Sequence, residues 1–149
     1  MKHEAEPITS FGKTYVATPA ISFGGAVKNF YTQYSDFSSR SRRSEYWWAM
    51  LYVLIGEIAL IYIFTFLNSD FEVFFSIASL FLFTLPTLSL SVRRLHDVDK
   101  SGWYLLLGYI PIIGWVILFI YHIRNSIVGE NNWGVSPKYL EVEIPDGEV

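Results

Sequence analysis

Two groups of residues in this chain have types and spacings that could do chemistry. The first is a single carboxylate, Glu57, near the midpoint of an apolar run from Tyr46 to Leu67. A charge at such a depth in a bilayer costs about 2.5–3.5 kcal/mol on insertion scales, so it should face other helices, pair, or take up a proton. Desolvation favours the neutral form, which can donate a hydrogen bond. The functional reading is a proton or cation site. The structural reading is an interhelical hydrogen bond to Ser76, Ser79, Thr84 or Tyr109, contributing about 0.6 kcal/mol. The second group is Arg93-Arg94-Leu95-His96-Asp97, followed by Lys100-Ser101-Gly102-Trp103. Clustered arginines bind phosphate in a bidentate manner, and a His-Asp pair is material for general acid–base work or a metal. The other histidines are His3, in the tail, and His122, expected at the far membrane surface, so neither a metal ion nor a catalytic residue is assigned. Asp97 is placed to pair with Arg40, Arg42 or Arg43, and Glu45 with Arg93 or Arg94. Such pairs would close a charged collar joining two helix ends.

The elements that must hold these groups follow from hydropathy. Of the 149 residues, 52% are hydrophobic and only 17% charged, too apolar for a water-soluble domain of this size. Cysteine is absent, which removes disulfides, thiolate metal sites and thiol nucleophiles. Three apolar runs, about 46–67, 73–92 and 103–123, are each long enough to cross a hydrocarbon core of about 30 Å. Pro86 interrupts the second and Gly108, Pro111 and Gly114 the third, so both are expected to bend. A re-entrant hairpin is the minority reading of the third, because each half is too short to cross. Ser101 is a natural N-cap for that run. Trp47, Trp48, Trp103, Tyr104 and Tyr121 fit an interfacial aromatic belt.

Before the first run, Phe23, Ala26, Val27, Phe30, Tyr31 and Tyr34 share one helical face. This predicts an amphipathic helix over 22–34, lying in the headgroup zone or packed on the protein itself. Residues 1–21 read as a mobile tail and 139–149 as an acidic, disordered one. The expectation is an all-α polytopic membrane protein with three transmembrane helices and an N-terminal interfacial helix. Orientation follows from lysine and arginine rather than from the net charge of −3. Lys28, Arg40, Arg42, Arg43, Arg93, Arg94 and Lys100 place the N-terminus and the 93–102 joint in the cytoplasm. Three crossings would then leave the C-terminal tail outside.

The order of motifs is specific. Phe37…Arg40-x-Arg42-Arg43-x-Glu45-Tyr46-Trp47 precedes Arg93-Arg94-Leu95-His96-Asp97…Ser101-Gly102-Trp103. Ile110-Pro111-x-x-Gly114 and Gly129-x-Asn131-x-Trp133-Gly134-x-x-Pro137 follow. Over roughly residues 25–138 the chain resembles the bacterial "domain of unknown function 805" family of small inner-membrane proteins. Val53 stands where that family commonly has a membrane-embedded Asn, and Glu57, one turn later on the same face, can fill that polar role. The resemblance implies a multi-pass inner-membrane protein and implies no particular activity.

The favoured expectation is a membrane-embedded interaction or accessory protein, because three spans enclose little interior and invite a homo-oligomer or a membrane-protein partner. The alternative is a small oligomeric transporter or channel using Glu57. A more distant one is an anionic lipid-headgroup binder or enzyme at Arg93, Arg94, His96 and Asp97, with Arg40, Arg42, Arg43 and Lys100 as headgroup contacts. No catalytic motif, cofactor site or nucleic-acid-binding pattern is present.

Overall fold

A computed structural model describes residues 7–10, 12–67 and 72–142, with the side chains of 67 and 72–76 excepted. Its frame is a pair of long helices. α2 (Arg43–Leu67) has 25 residues and α3 (Glu72–Asp97) has 26, lengths of roughly 38 Å each at the α-helical rise. Among the described residues, α2 is the one helix shown to be long and apolar enough to cross a membrane, with a mean hydropathy of 2.1 in its most apolar stretch. Nearly all of that stretch lies open on the protein surface. Phe66, Phe81, Trp103 and Tyr109 are each more than 75% exposed, an apolar surface that a water-soluble monomer does not sustain.

α1 (Phe23–Thr32) starts at Ser22, whose hydroxyl accepts from the Gly25 amide. Its apolar face is spent on the protein: Ala26 and Phe30 are fully buried. The Phe23 ring meets Trp48 at 5.9 Å, and Tyr31 shares a 2.8 Å hydroxyl bond with Tyr52. Of the two sequence readings, packing on the protein is the one observed. The small core consists of Phe30, Ala49, Phe83 and Leu90, with Tyr46, Met50, Val53 and Leu60 against it. On α2 these contacts fall at helical spacing, so α2 presents one stripe to α1 and α3. α3 runs through Pro86 without interruption and ends at Asp97.

Three expectations are overturned. The third apolar run is not one helix. It is a 3-10 segment (Gly102–Tyr109), a turn at 110–112, and α4 (Ile113–Ile123). Each half reaches only roughly 16 Å, about half the hydrocarbon thickness. The halves fold onto each other: Tyr104 and Tyr121 rings lie 5.7 Å apart, and the Trp115 indole donates to the Gly108 carbonyl at 2.9 Å. The physical cause is local. Gly114 lets α4 press on the 3-10 backbone so closely that a Cβ there would stand 1.8 Å from the Leu107 carbonyl oxygen. Ile112 accepts a left-handed φ of 63° to make the turn, at a cost of about 1–3 kcal/mol.

Both ends of this hairpin therefore return to the C-terminal end of α3, and the C-terminal segment stands beside the N-terminal one instead of across the molecule. Nor is the chain all-α. β1 (Ile8–Ser10), β2 (Lys13–Ala17) and β3 (Tyr139–Val142) form an antiparallel sheet in the order β1-β2-β3, with Tyr15 opposite Glu141. The tail expectation for 1–21 thus fails over 8–17. Two short segments from opposite ends of the chain satisfy each other's backbone, which no local periodicity announces. Residues 143–149 lie outside the described residues.

Candidate functional site: an arginine-organised joint

The joint at the end of α3 meets the start of α2, the segment before it, and the chain leaving α4. Asp97 is its centre and is fully buried. One carboxylate oxygen accepts from Arg40 at 3.1 Å, the other from Arg94 at 2.6 Å and from the Ser126 hydroxyl at 2.6 Å. Beside it, Arg93 pairs with Glu45 at 3.1 Å and donates to Gln33. The collar inferred from charge therefore exists, with Arg40 and Arg94 on Asp97 and Arg93 on Glu45.

Arg40 and Arg94 spend their remaining donors on backbone, whereas the Nε and Nη2 of Arg93 are buried without a partner among the described residues. Arg94 donates to the carbonyls of Tyr121, His122 and Arg124, the last acceptors of α4, which a helix end leaves without intrahelical partners. Arg40 donates to the carbonyls of Ile127, Gly129 and Gly134. One arginine thus closes the hairpin and another folds the segment after it. Gly129 serves that fold with a φ of 77°, and a Cβ there would sit 2.9 Å from the Tyr15 hydroxyl, so glycine also lets the sheet close on the joint. Burial lowers Arg94 to about 10, with Asp97 opposing, so it stays charged at neutral pH. Burial pushes the Asp97 carboxyl upward, against Ser126, Arg94 and Arg40.

His96 does not pair with Asp97. Its Nδ1 lies 3.2 Å from the Ser39 carbonyl oxygen, and its ring stacks on Trp133 at 4.5 Å. Asn131 donates to the His96 carbonyl at 2.8 Å. Acid–base use of the His-Asp pair thus lacks its geometry, and Asp97 has both oxygens engaged. Arg40, expected as a headgroup contact, is instead a buried interior group. Lys100 stands 6.0 Å from the Tyr104 and Tyr121 rings. Arg43 is exposed and donates to the Ile123 carbonyl, while Arg42 reaches Thr18 and Pro19. Glu57 lies far from the joint. It is half-buried on the α2 stripe between Val53 and Leu60, with no hydrogen-bond partner among the described residues. Ser126, Gln33 and Lys138 escaped sequence reasoning, because isolated polar residues in loops carry no local signal of what they will meet.

Burial lowers the His96 pKa below 6.5, although the Ser39 and Ser38 carbonyls and the Asp36 charge oppose it. The unfolded chain then binds the extra proton more readily, so stability is fully present above about pH 6.5 and falls as pH drops through the folded value. Charging the ring disturbs its stacking on Trp133. Trp133 emission, isolated by difference against Trp133→Phe, is expected to change between pH 7.5 and pH 5 (both about one unit or more from the ordinary His value). A His96→Gln chain should show no such step; an identical step there would remove His96 from the effect.

Comparison with known proteins places the chain in a family. The family model "Protein of unknown function (DUF805)" matches residues 34–135, a span that begins just before the joint's first arginines and ends at the Trp133 loop. Inner membrane protein YhaI of Escherichia coli is 37% identical over 71% of this chain and 89% of its own length. Inner membrane protein YhaH of the same organism is 35% identical over 70% of this chain and 89% of its own. No solved structure matches. The chain therefore belongs to the DUF805 family, alongside relatives that are inner membrane proteins.

Proposed function

We propose that the protein is a bacterial inner-membrane accessory protein that acts by assembling with copies of itself or with other membrane proteins. In this reading α2 and α3 cross the bilayer, and residues 102–123 dip in and return. The joint, the sheet and both chain ends face the cytoplasm. Lysine distribution supports it: with a hairpin, all 11 Lys and Arg fall on the joint's side, and the loop between α2 and α3 has none. Three crossings would have put Arg124 and Lys138 on the other side, against the positive-inside tendency.

The observation that carries the interaction reading is a contrast. The polar joint is closed on itself, with Asp97 fully engaged, while the apolar faces of α2 and the hairpin stand open. What remains to be covered is the open apolar surface of α2 and the hairpin. Small residues on α3, Ser79, Ser89 and Ser91, are already used inside the monomer, so assembly falls to the outward faces.

Native mass spectrometry from nanodiscs tests this. More than one copy, or a co-purifying membrane protein, is expected. Glu57→Gln should leave both the assembly and the unfolding midpoint unchanged, since an unbonded carboxyl contributes little. The half-buried position of Glu57 on the helix stripe favours one competing reading, a proton or cation path. pH-dependent flux in liposomes that Glu57→Gln abolishes, or a monomer without partner, would replace the proposal.

A further inference from the structure

A cleft of about 680 Å³ opens where α2 begins. It is lined by the basic Arg42, Arg43 and Lys138 and by the apolar Trp47, Trp48 and Leu51. The charge balance here is the reverse of that at the joint. None of the three cations forms an ion pair among the described residues. Arg42 bonds only neutral oxygens, the Thr18 hydroxyl at 2.8 Å and the carbonyls of Pro19 at 2.7 Å and Thr18 at 3.2 Å. Arg43 gives one bond, to the Ile123 carbonyl at 3.2 Å. Lys138 bonds Asn125 at 2.7 Å and stands 4.7 Å from the Tyr139 ring. Arg42 feels the charges of Asp97 and Glu45, whereas Arg43 and Lys138 line the cleft without an ion pair among the described residues, and Arg43 keeps most of its five donors free.

Spacing gives this cleft a direction. Arg43, Trp47 and Leu51 are four residues apart and so stack along one line of α2, and Leu54 and Ile58 continue the exposed strip into the apolar span. The strip passes from guanidinium to indole to aliphatic chain, the order in which a membrane lipid passes from phosphate to glycerol to acyl chain. Two cations without an ion pair, Arg43 and Lys138, disfavour a headgroup that carries its own ammonium. We infer that the cleft holds one anionic glycerophospholipid of the bilayer, its phosphate between Arg43 and Lys138 and one acyl chain along Trp47 and Leu51. The site is distinct from Arg93, Arg94, His96 and Asp97, whose charges are consumed internally. It rests on α2 lying in a bilayer and not on self-assembly, so subunit number and lipid adducts report separately.

The test uses the full chain reconstituted in nanodiscs of mixed phosphatidylcholine and phosphatidylglycerol, released and weighed by native mass spectrometry. The wild-type chain should retain phosphatidylglycerol in preference to phosphatidylcholine. Arg43→Gln/Lys138→Gln should lose that preference roughly tenfold, the scale of two charge-assisted contacts removed from solvent-facing side chains. Both residues are accessible, so the variant's unfolding midpoint should match wild type and show that the loss is not misfolding. Lys28→Gln removes one exposed basic residue outside the cleft and should retain the preference. Equal retention of the two lipids by wild type, undiminished preference in the double variant, or an equal loss in Lys28→Gln would each overturn the assignment.

Discussion

Asp97→Ala is expected to lower the unfolding midpoint of the purified protein by roughly 6–20 °C, more than any other single substitution at the joint. The carboxylate is fully buried and takes bonds from Arg40, Arg94 and Ser126. Removing it leaves two guanidiniums without a counter-charge in an interior where neither meets water. Breaking a buried pair in this way costs about 3–5 kcal/mol, and for a chain of this size each kcal/mol moves the midpoint by about 2–4 °C. The consequence is also structural. Arg40 and Arg94 anchor the segment after α4 through its carbonyls, so a disturbed Asp97 releases that segment and its sheet pairing with β2. Thermal melting in detergent, with circular dichroism of the unheated protein, checks both. A midpoint within 2 °C of wild type (about 1 kcal/mol or less) would show that Asp97 does not hold the joint.

The second large effect is topological. Gly114→Ala should open the hairpin, because the new methyl carbon would stand 1.8 Å from the Leu107 carbonyl oxygen, and the obstruction is backbone, which cannot swing aside. Overpacking of this kind costs about 1–3 kcal/mol, occasionally more. Once the halves separate, the uncharged run 103–123 has another resting place: extended as one helix it is long enough to cross. The absence of cysteine makes the measurement direct. In cells expressing the protein with a single cysteine at Ser35 or at Val135, both exposed, a membrane-impermeant maleimide should reach neither until the membrane is opened. In the Gly114→Ala background a fraction of Val135→Cys should label from outside while Ser35→Cys stays protected. Labelling of Val135→Cys from outside in the otherwise wild-type chain would mean that the hairpin does not form in the membrane.

How much of this was legible in the sequence can be argued residue by residue. Helices α1, α2 and α3 were, because their signals are local: apolar spacing from Phe23 to Tyr31, and two apolar runs bounded by Arg43 and Arg93. Arg40 for Asp97 and Arg93 for Glu45 were legible within sets, since opposite charges at apolar helix ends have few other places to go, but Arg94, read as a partner for Glu45, pairs with Asp97. Which arginine takes which carboxylate was not. Arg42, one residue from Arg43 and two from Arg40, turns instead to Thr18 and Pro19, a choice fixed by how the chain enters α2.

What the sequence by itself determined is the apolar content, the helix positions, the charge asymmetry and the family motifs, all properties of short windows. The tertiary structure alone decided that the run 103–123 folds back and that β2, from before α1, pairs with β3, from after α4. The reason is physical. A span of 21 uncharged residues satisfies the bilayer equally well crossing once or returning, and the choice rests on contacts between distant residues. Gly114 against Leu107, Arg94 on the last carbonyls of α4 and Arg40 on the loop beyond are energies that no window of neighbours contains.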